Sequence, residues 1–422
     1  MKTLVIGSGG REHALALALS RDPEVTEVHV APGNPGMEAI AECHDVDPLD
    51  GIAIAALGIA LGVDLVVIGP EGPLVVGAAD KVRMGGIACF GPTAEAAQLE
   101  GSKAFAKDVM AAAGVPTADA RVCDTPEQVA EALDAFGAPY VVKDDALAAG
   151  KGVVVTYSRD EATAHAASCD RVVIEQFLDG PEVSLFAITD GTTVIPLQPA
   201  QDFKRALDYD HGPNTGGMGA YTPLPWAPDG LVDQVLKTVL QPTVDEMRQR
   251  GTPFAGLLYA GLALTSDGLR VIEFNARFGD PETQPLLAML DSSLATLLQA
   301  AATGKLADVD APTWKEGAAV AVVVAAENYP DTPTKGDVIS GIDAAEAIDG
   351  VDVIHAGTAR NDAGELVTAG GRVLAVTATG PDLAAARRRA YDATELISIR
   401  GAHHREDIAL LAAAGHIQTP SL

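Results

Sequence analysis

Short apolar runs alternate with longer Ala-rich stretches through the first hundred residues. Runs of strand length stand at 3–6, 25–30, 65–68 and 87–90, and helix-forming segments fill the intervals. That strand–helix–strand rhythm predicts a parallel, doubly wound sheet. Gly101-Ser102-Lys103 then marks a boundary, with Ser102 as N-cap of a helix over 103–113, Gly114 as its stop and Pro116 just beyond. Strands are expected at 140–143, 153–155 and 172–175. Farther on the pattern predicts a helix over 231–250, strands over 318–325 and 372–377, and a helix over 382–396. The expectation is a multidomain chain, α/β then α+β, with regions 1–101, 102–191, 192–325 and 326–422. The 422 residues agree with about three domains at roughly 150 residues each.

Composition narrows the function. A net charge of -29 disfavours nucleic-acid binding, which needs a basic surface. It leaves room for a small phosphate-bearing substrate in a local basic pocket. Cys43, Cys89, Cys123 and Cys169 form no C-x-x-C pair and read as free thiols of a reducing cytosol. The first apolar run is too short for a signal peptide, and no stretch approaches the roughly 18 apolar residues of a membrane span.

Several motifs carry chemistry. The first strand runs into Gly7-Ser8-Gly9-Gly10-Arg11-Glu12-His13, where backbone N–H groups and a helix N-terminus can face an anion. A substrate phosphate near Gly9 and Gly10 is one reading and a tight structural turn the other. A dinucleotide role is opposed by the second strand, which ends Val30-Ala31-Pro32 without a carboxylate. The loop from Gly69 to Leu74 (GPEGPL) follows another strand, where open α/β sheets place ligands. Lys143 ends a strand, and the small-residue stretch through Gly150-Lys151-Gly152 leads into the next. Such a hairpin flap can lie over a polyphosphate with lysines offsetting the charge, although it is no Walker A loop. After the strand ending at Glu175, the segment Gln176 to Glu182 offers backbone groups to an adenine edge and a carboxylate to ribose hydroxyls.

The stretch 271–284, VIEFNARFGDPETQ, is the most specific of these. Period-two alternation puts Glu273, Asn275 and Arg277 on one face and Phe274, Ala276 and Phe278 on the other, a core face. Two oxygen ligands two residues apart suit Mg²⁺, and Arg277 beside them suits charge developing in phosphoryl transfer. A solvated polar face is the alternative. Finally, Gln201 to Arg205 precedes DYDHGPNTGGMGAY, residues 208–221, a long segment expected to be irregular. Its paired basic residues and glycines suit phosphate or carboxylate.

Taken in order, GSGGREHA, GPEGPLVVG, LEGSKAFAKD, LAAGKGVVV, DYDHGPNTGGMGAY, EFNARFGDPETQ and TAGGRVL span essentially the whole chain. Together they resemble the phosphoribosylamine–glycine ligase family of ATP-grasp enzymes. The resemblance implies a pre-ATP-grasp domain, two subdomains clamping ATP, and a small C-terminal domain. It implies that Lys103 and Lys143 meet nucleotide phosphates, with Gly150, Lys151 and Gly152 covering them. Glu175, Phe177 and Leu178 would frame adenine, Glu182 the ribose, and Glu273 and Asn275 would bind Mg²⁺ or Mn²⁺. Candidate catalytic residues are Arg277, Lys143 and Lys204. Candidate substrate residues are Gly9, Gly10, Asp202, Lys204, Arg205, Asn214, Thr215, Gly216, Gly217, Met218, Arg277 and Asp280. The implied reaction joins glycine to 5-phosphoribosylamine with ATP, in a cytoplasmic, monomeric enzyme with no nucleic-acid or membrane partner. Alternatives are another ATP-grasp ligase or a bicarbonate-using carboxylase of purine metabolism, a non-enzymatic nucleotide-binding protein, and an oxidoreductase. Two residues depart from the family pattern: Ala146 stands where relatives have Gly, and Phe203 where they often have His. A positive φ at Ala146 would cost on the order of 1 kcal/mol, and at Phe203 a polar contact would be lost.

Overall fold

The computed structural model describes residues 1–146 and 152–419. The N-terminal sheet is parallel, in the order Glu42–Cys43, Glu27–Pro32, Lys2–Gly7, Leu65–Ile68, Ala88–Phe90. Strand alternation divides its residues between two cores. Leu4 and Ile6 pack with the helices Gly51–Leu61 and Ala78–Met84, while Val5 packs with Gly10–Ser20 and with Leu294–Ala302 from much later in the chain. Both faces are covered, as the near-continuous apolar strands require.

Past Ser102, whose hydroxyl accepts from the Phe105 amide at 3.1 Å, the helix Lys103–Ala113 runs to Gly114 in the left-handed conformation at φ 67°. A small antiparallel sheet follows, in the order Ala120–Cys123, Val172–Glu175, Tyr140–Asp144, Val153–Thr156. The capped helices Pro126–Phe136 and Arg159–Ala167 close its own core around Val142, Ile174 and Leu133. A second antiparallel sheet has the order Val194–Pro196, Glu182–Asp190, Ala255–Thr265, Gly268–Asn275. The last sheet joins sequence-distant strands: Gln201–Asp202, Gly219–Thr222, Ala318–Ala325, Arg372–Gly380, Val351–His355. Its strand Ala318–Ala325 pairs with Gly219–Thr222 on one side and Arg372–Gly380 on the other, across the division expected near residue 325.

Two local expectations need correction. The segment 208–221 is not irregular throughout: Arg205–Leu207 and His211–Asn214 pair as a short hairpin, and Gly219–Thr222 is a strand. Tertiary anchors explain this. Arg405, 1% exposed, donates to Asp210 at 2.8 Å, to the Arg205 carbonyl at 3.1 Å and to Asp407 at 2.6 and 2.7 Å. The guanidinium also lies 4.8 Å from the Phe203 ring centroid, so the aromatic ring replaces the polar contact expected there with a cation–π contact. The second correction is a register shift opposite Gly261 and Leu262, which places both Val271 and Phe274 in one core, three residues apart. This β-bulge leaves Ile272 unpaired, with Glu273 opposite Gly261. Ala146 escapes the expected strain, since the described non-glycine residues with positive φ are Tyr209, Asp210, Asn328 and Ala409.

Removing Arg405 leaves the buried Asp407 carboxylate without its counter-charge and frees the hairpin at Asp210. Arg405→Ala is expected to lower stability by about 3–5 kcal/mol, the penalty for breaking a buried ion pair. Urea denaturation followed by circular dichroism measures it. A loss under about 1 kcal/mol, typical of an exposed pair, would show that the hairpin does not depend on this anchor.

Candidate active site

Lys143 bridges the two antiparallel sheets. Its Nζ lies 2.8 Å from the Glu175 carboxylate on the neighbouring strand and donates to the Ile272 carbonyl of the opposite sheet at 3.0 Å. The bulge exposes that carbonyl. Lys107, one helical turn beyond Lys103, makes a second ion pair with Glu175 at 3.3 Å, and burial lowers its pKa despite that carboxylate. Lys103 donates to the Ala146 carbonyl at 3.1 Å, at the edge of the flap.

Glu273 follows the residue whose carbonyl Lys143 reaches. Among the described residues none hydrogen-bonds its carboxylate. Burial would raise its pKa, yet Lys204, Lys143, Lys103 and Arg277 together pull it below the ordinary value. Asn275, 8% exposed, sits two residues along, and its Oδ1 accepts from Arg277 at 3.1 Å. The alternation expected for Asn275 and Arg277 is therefore present, and Phe274, Ala276 and Phe278 are buried. A carboxylate that no described residue hydrogen-bonds and an amide oxygen make a hard donor set that fits Mg²⁺ or Mn²⁺.

Arg277 is held from the N-terminal domain, 2.9 Å from Glu100 and 3.3 Å from Glu71. Burial opposes its charge, but Glu100, Glu71 and Glu282 raise its pKa further. Glu100 also accepts from the Ala276 amide at 2.7 Å. The loop expected from Gly69 to Leu74 is corrected here, since Glu71 opens the short helix Glu71–Val75, and that helix acts on the site through Arg277.

At the N-terminal turn the glycines make room for Glu12: a Cβ at Gly69 would meet its Oε1 at 2.2 Å, and Gly7 has φ 130°. The Gly9 amide donates to Glu12 at 2.7 Å and the Arg11 amide to Asp280 at 3.3 Å. Carboxylates of the chain thus take these two amides. Asp280 in turn lies 3.5 Å from Arg372, and burial of its carboxyl is outweighed by Arg372 and Arg11, so its pKa is lowered. Arg372 donates to the carbonyls of Gly216 at 2.5 Å and Asp280 at 2.6 Å, while the Gly216 amide donates to the Tyr329 hydroxyl at 2.9 Å. Gly217 has φ 112°, and a Cβ there would meet Pro281 at 2.4 Å. Gly9, Gly10, Asp280, Gly216 and Gly217 are therefore one cluster, closed by the C-terminal domain.

The remaining candidates divide. Lys204 contacts Glu182 and lies 4.0 Å from Asp202. Thr215 donates to the Lys204 carbonyl at 2.8 Å, and Met218 is buried. Asn214 reaches the flap strand, donating to the Val153 carbonyl at 3.4 Å. Gly152 opens that strand; its carbonyl accepts from the Asp144 amide at 2.7 Å. Arg205 turns away to the Gly212 carbonyl at 2.8 Å. Phe177 is 43% exposed and Leu178 is half-buried, beyond the ion pairs of Glu175. Gly150 and Lys151 lie outside the described residues. Sequence reasoning missed Lys107, Glu100 and Arg372 as site residues, although all three lie inside recognised motifs, because nothing local shows which side chain each one meets.

Three family models cover most of the chain: the phosphoribosylglycinamide synthetase N domain matches residues 1–100, its ATP-grasp (A) domain 101–283 and its C domain 319–411. A phosphoribosylamine–glycine ligase of Streptomyces coelicolor is 66% identical over 415 residues, covering 98% of this chain and 100% of the relative. The crystal structure of phosphoribosylamine–glycine ligase from Thermotoga maritima superposes with a TM-score of 0.84 at 33% identity, covering 97% of this chain and 100% of that one. The biotin carboxylase domain of Hydrogenobacter thermophilus 2-oxoglutarate carboxylase, solved with MgADP and bicarbonate, shares the fold alone, with a TM-score of 0.71 at 18% identity over 97% of this chain and 92% of that one. No helix among the described residues is long and apolar enough to cross a membrane. The ordered motifs and the full-length matches together establish that the chain belongs to the phosphoribosylglycinamide synthetase family of ATP-grasp ligases.

Proposed function

We propose that this chain joins glycine to 5-phosphoribosylamine, giving glycinamide ribonucleotide, ADP and phosphate in de novo purine synthesis. The observation that carries this reading is the placement of Glu273, whose carboxylate no described residue hydrogen-bonds, beside Asn275 and an Arg277 held by Glu71 and Glu100. A glycine carboxylate is a poor electrophile. Its oxygen attacks the γ-phosphorus of ATP, the bond to the β–γ bridging oxygen breaks, and ADP leaves with that electron pair. The ribosyl amine then adds to the carbonyl carbon of glycyl phosphate, phosphate departs, and the amine releases a proton. Catalysis of such steps is positioning and charge neutralisation.

In this reading Glu273 and Asn275 hold Mg²⁺ or Mn²⁺, which supplies neutralisation of the nucleotide phosphates when bound. Lys103 and Lys143 face those phosphates. Glu175, Phe177 and Leu178 frame the adenine, and Glu182 takes the ribose. Arg277, fixed by Glu71 and Glu100, presents its charge to the transferred group. Residues Asn214 to Met218 and Asp280, braced by Arg372, take the phosphoribosyl and glycyl ends. The enzyme is a cytoplasmic monomer whose partners are small molecules, and its charge of -29 turns away nucleic acid. A bicarbonate-using carboxylase shares the fold, but nothing at the site favours it over glycine.

Phosphoribosylamine- and glycine-dependent ADP release, with bicarbonate replacing glycine as the control, tests the assignment. Glu273→Ala is expected to lower the rate by at least about 100-fold, because even groups behind a metal ligand are worth about 10–100-fold, with the melting temperature little changed. Full activity in that variant removes the metal assignment. Activity with bicarbonate in place of glycine removes the ligase one.

Asp202 gives a pH dependence. Burial, opposed by Lys204 and reinforced by Glu282 and Glu182, raises its pKa from 3.8 to about 7. Between those values the folded chain holds a proton that the unfolded chain has released. This contribution to stability therefore falls as pH rises through that window. Asp202→Asn stays neutral, so its urea midpoint is expected to decline less than that of the wild type between about pH 5 and about pH 8. An equal decline in both proteins would contradict this.

A further inference from the structure

Away from that site, on the edge of the N-terminal sheet, alternation gathers a second donor set. Glu27 and His29 share one face of the strand Glu27–Pro32, and Glu42 and His44 are likewise two residues apart. The parallel register sets His29 opposite Glu42, and the His44 amide extends the pairing by donating to the Val30 carbonyl at 2.9 Å. Among the described residues, His29, Glu42 and His44 form a group whose ligand atoms lie within 4.8 Å of one another.

The atoms face inward toward one point. His29 Nδ1 and His44 Nε2 are 3.1 Å apart. One Glu42 oxygen lies 3.6 Å from His29 Nδ1 and the other 4.0 Å from His44 Nε2. Metal–ligand bonds of about 2.0–2.1 Å in a tetrahedron set donor atoms about 3.3–3.4 Å apart, so small side-chain rotations suffice to close the set. A second observation concerns the other ring nitrogen. His29 is 4% exposed, and its Nε2 is buried with no hydrogen-bond partner. The Glu27 carboxylate stands 3.5 Å from it. A histidine that binds metal through Nδ1 carries its proton on Nε2, and a carboxylate behind that proton is the usual orienting partner.

We propose that His29 Nδ1, His44 Nε2 and Glu42 form a site for a divalent transition cation of the Zn²⁺ type, with Glu27 orienting His29 and water completing the tetrahedron. Nitrogen-rich donors separate this site from the all-oxygen set at Glu273 and Asn275, which suits harder cations. Its effect would be to clip the two-residue strand Glu42–Cys43, which has only one neighbour, to the rest of the sheet.

The test is equilibrium dialysis of metal-stripped full-length protein against Zn²⁺ with Mg²⁺ in excess. One Zn²⁺ per chain is expected, with affinity at least about tenfold weaker in Glu42→Gln and in His44→Ala, both changed at accessible positions. Zn²⁺ is expected to raise the melting temperature of the wild type and not of His44→Ala. Substituted Co²⁺ should show tetrahedral visible bands without a thiolate charge-transfer band. No binding by the wild type, unchanged affinity in both variants, or loss of binding on Cys43→Ala would each overturn the proposal.

Discussion

The architecture turns on a charge problem. Lys103, Lys143, Lys204 and Arg277 all act on the charge of one half-buried carboxylate, Glu273, and like charges that share a site repel unless counter-charges stand beside them. The structure supplies them from different parts of the chain. Glu175 takes Lys143 together with Lys107, Glu71 and Glu100 take Arg277, and Glu182 takes Lys204, while Lys103 donates to the Ala146 carbonyl. Because these acids sit on separate elements, neutralising the site also locks the N-terminal domain and both antiparallel sheets together. Among the described residues Glu273 makes neither a hydrogen bond nor an ion pair, the condition that the proposed metal role requires.

The C-terminal domain braces the neighbouring glycine cluster and hairpin in the same way. Arg372 draws together the Gly216 and Asp280 carbonyls, and Arg405 holds the hairpin through Asp210 and the Arg205 carbonyl. The glycines in these motifs serve close approach as much as ligand contact. Gly69 stands against Glu12 and Gly217 against Pro281, and neither position has space for a Cβ.

Much of this was legible in the sequence because period and capping are local. The strands Leu65–Ile68 and Val172–Glu175 and the helix Lys103–Ala113 match their expected limits, as does the αL glycine at 114. Alternation also paired Asn275 with Arg277. What local pattern missed was set by distance in sequence. The bulge at Ile272 arises from pairing with Ala255–Thr265 and is invisible in one strand. The hairpin in 205–214 depends on Arg405, about two hundred residues away, and nothing local shows that Glu100 meets Arg277. At the N-terminal turn, glycine spacing suggested an anion but could not say that Glu12 and Asp280 would meet the Gly9 and Arg11 amides.

The most direct measurement of the central claim is an anomalous-scattering map of crystals grown with Mn²⁺ and ADP. The account predicts a manganese peak about 2.0–2.2 Å from oxygens of Glu273 and Asn275, with the nucleotide phosphates between Lys103 and Lys143. A manganese peak held elsewhere, with the Glu273 carboxylate turned away from the nucleotide, would contradict it.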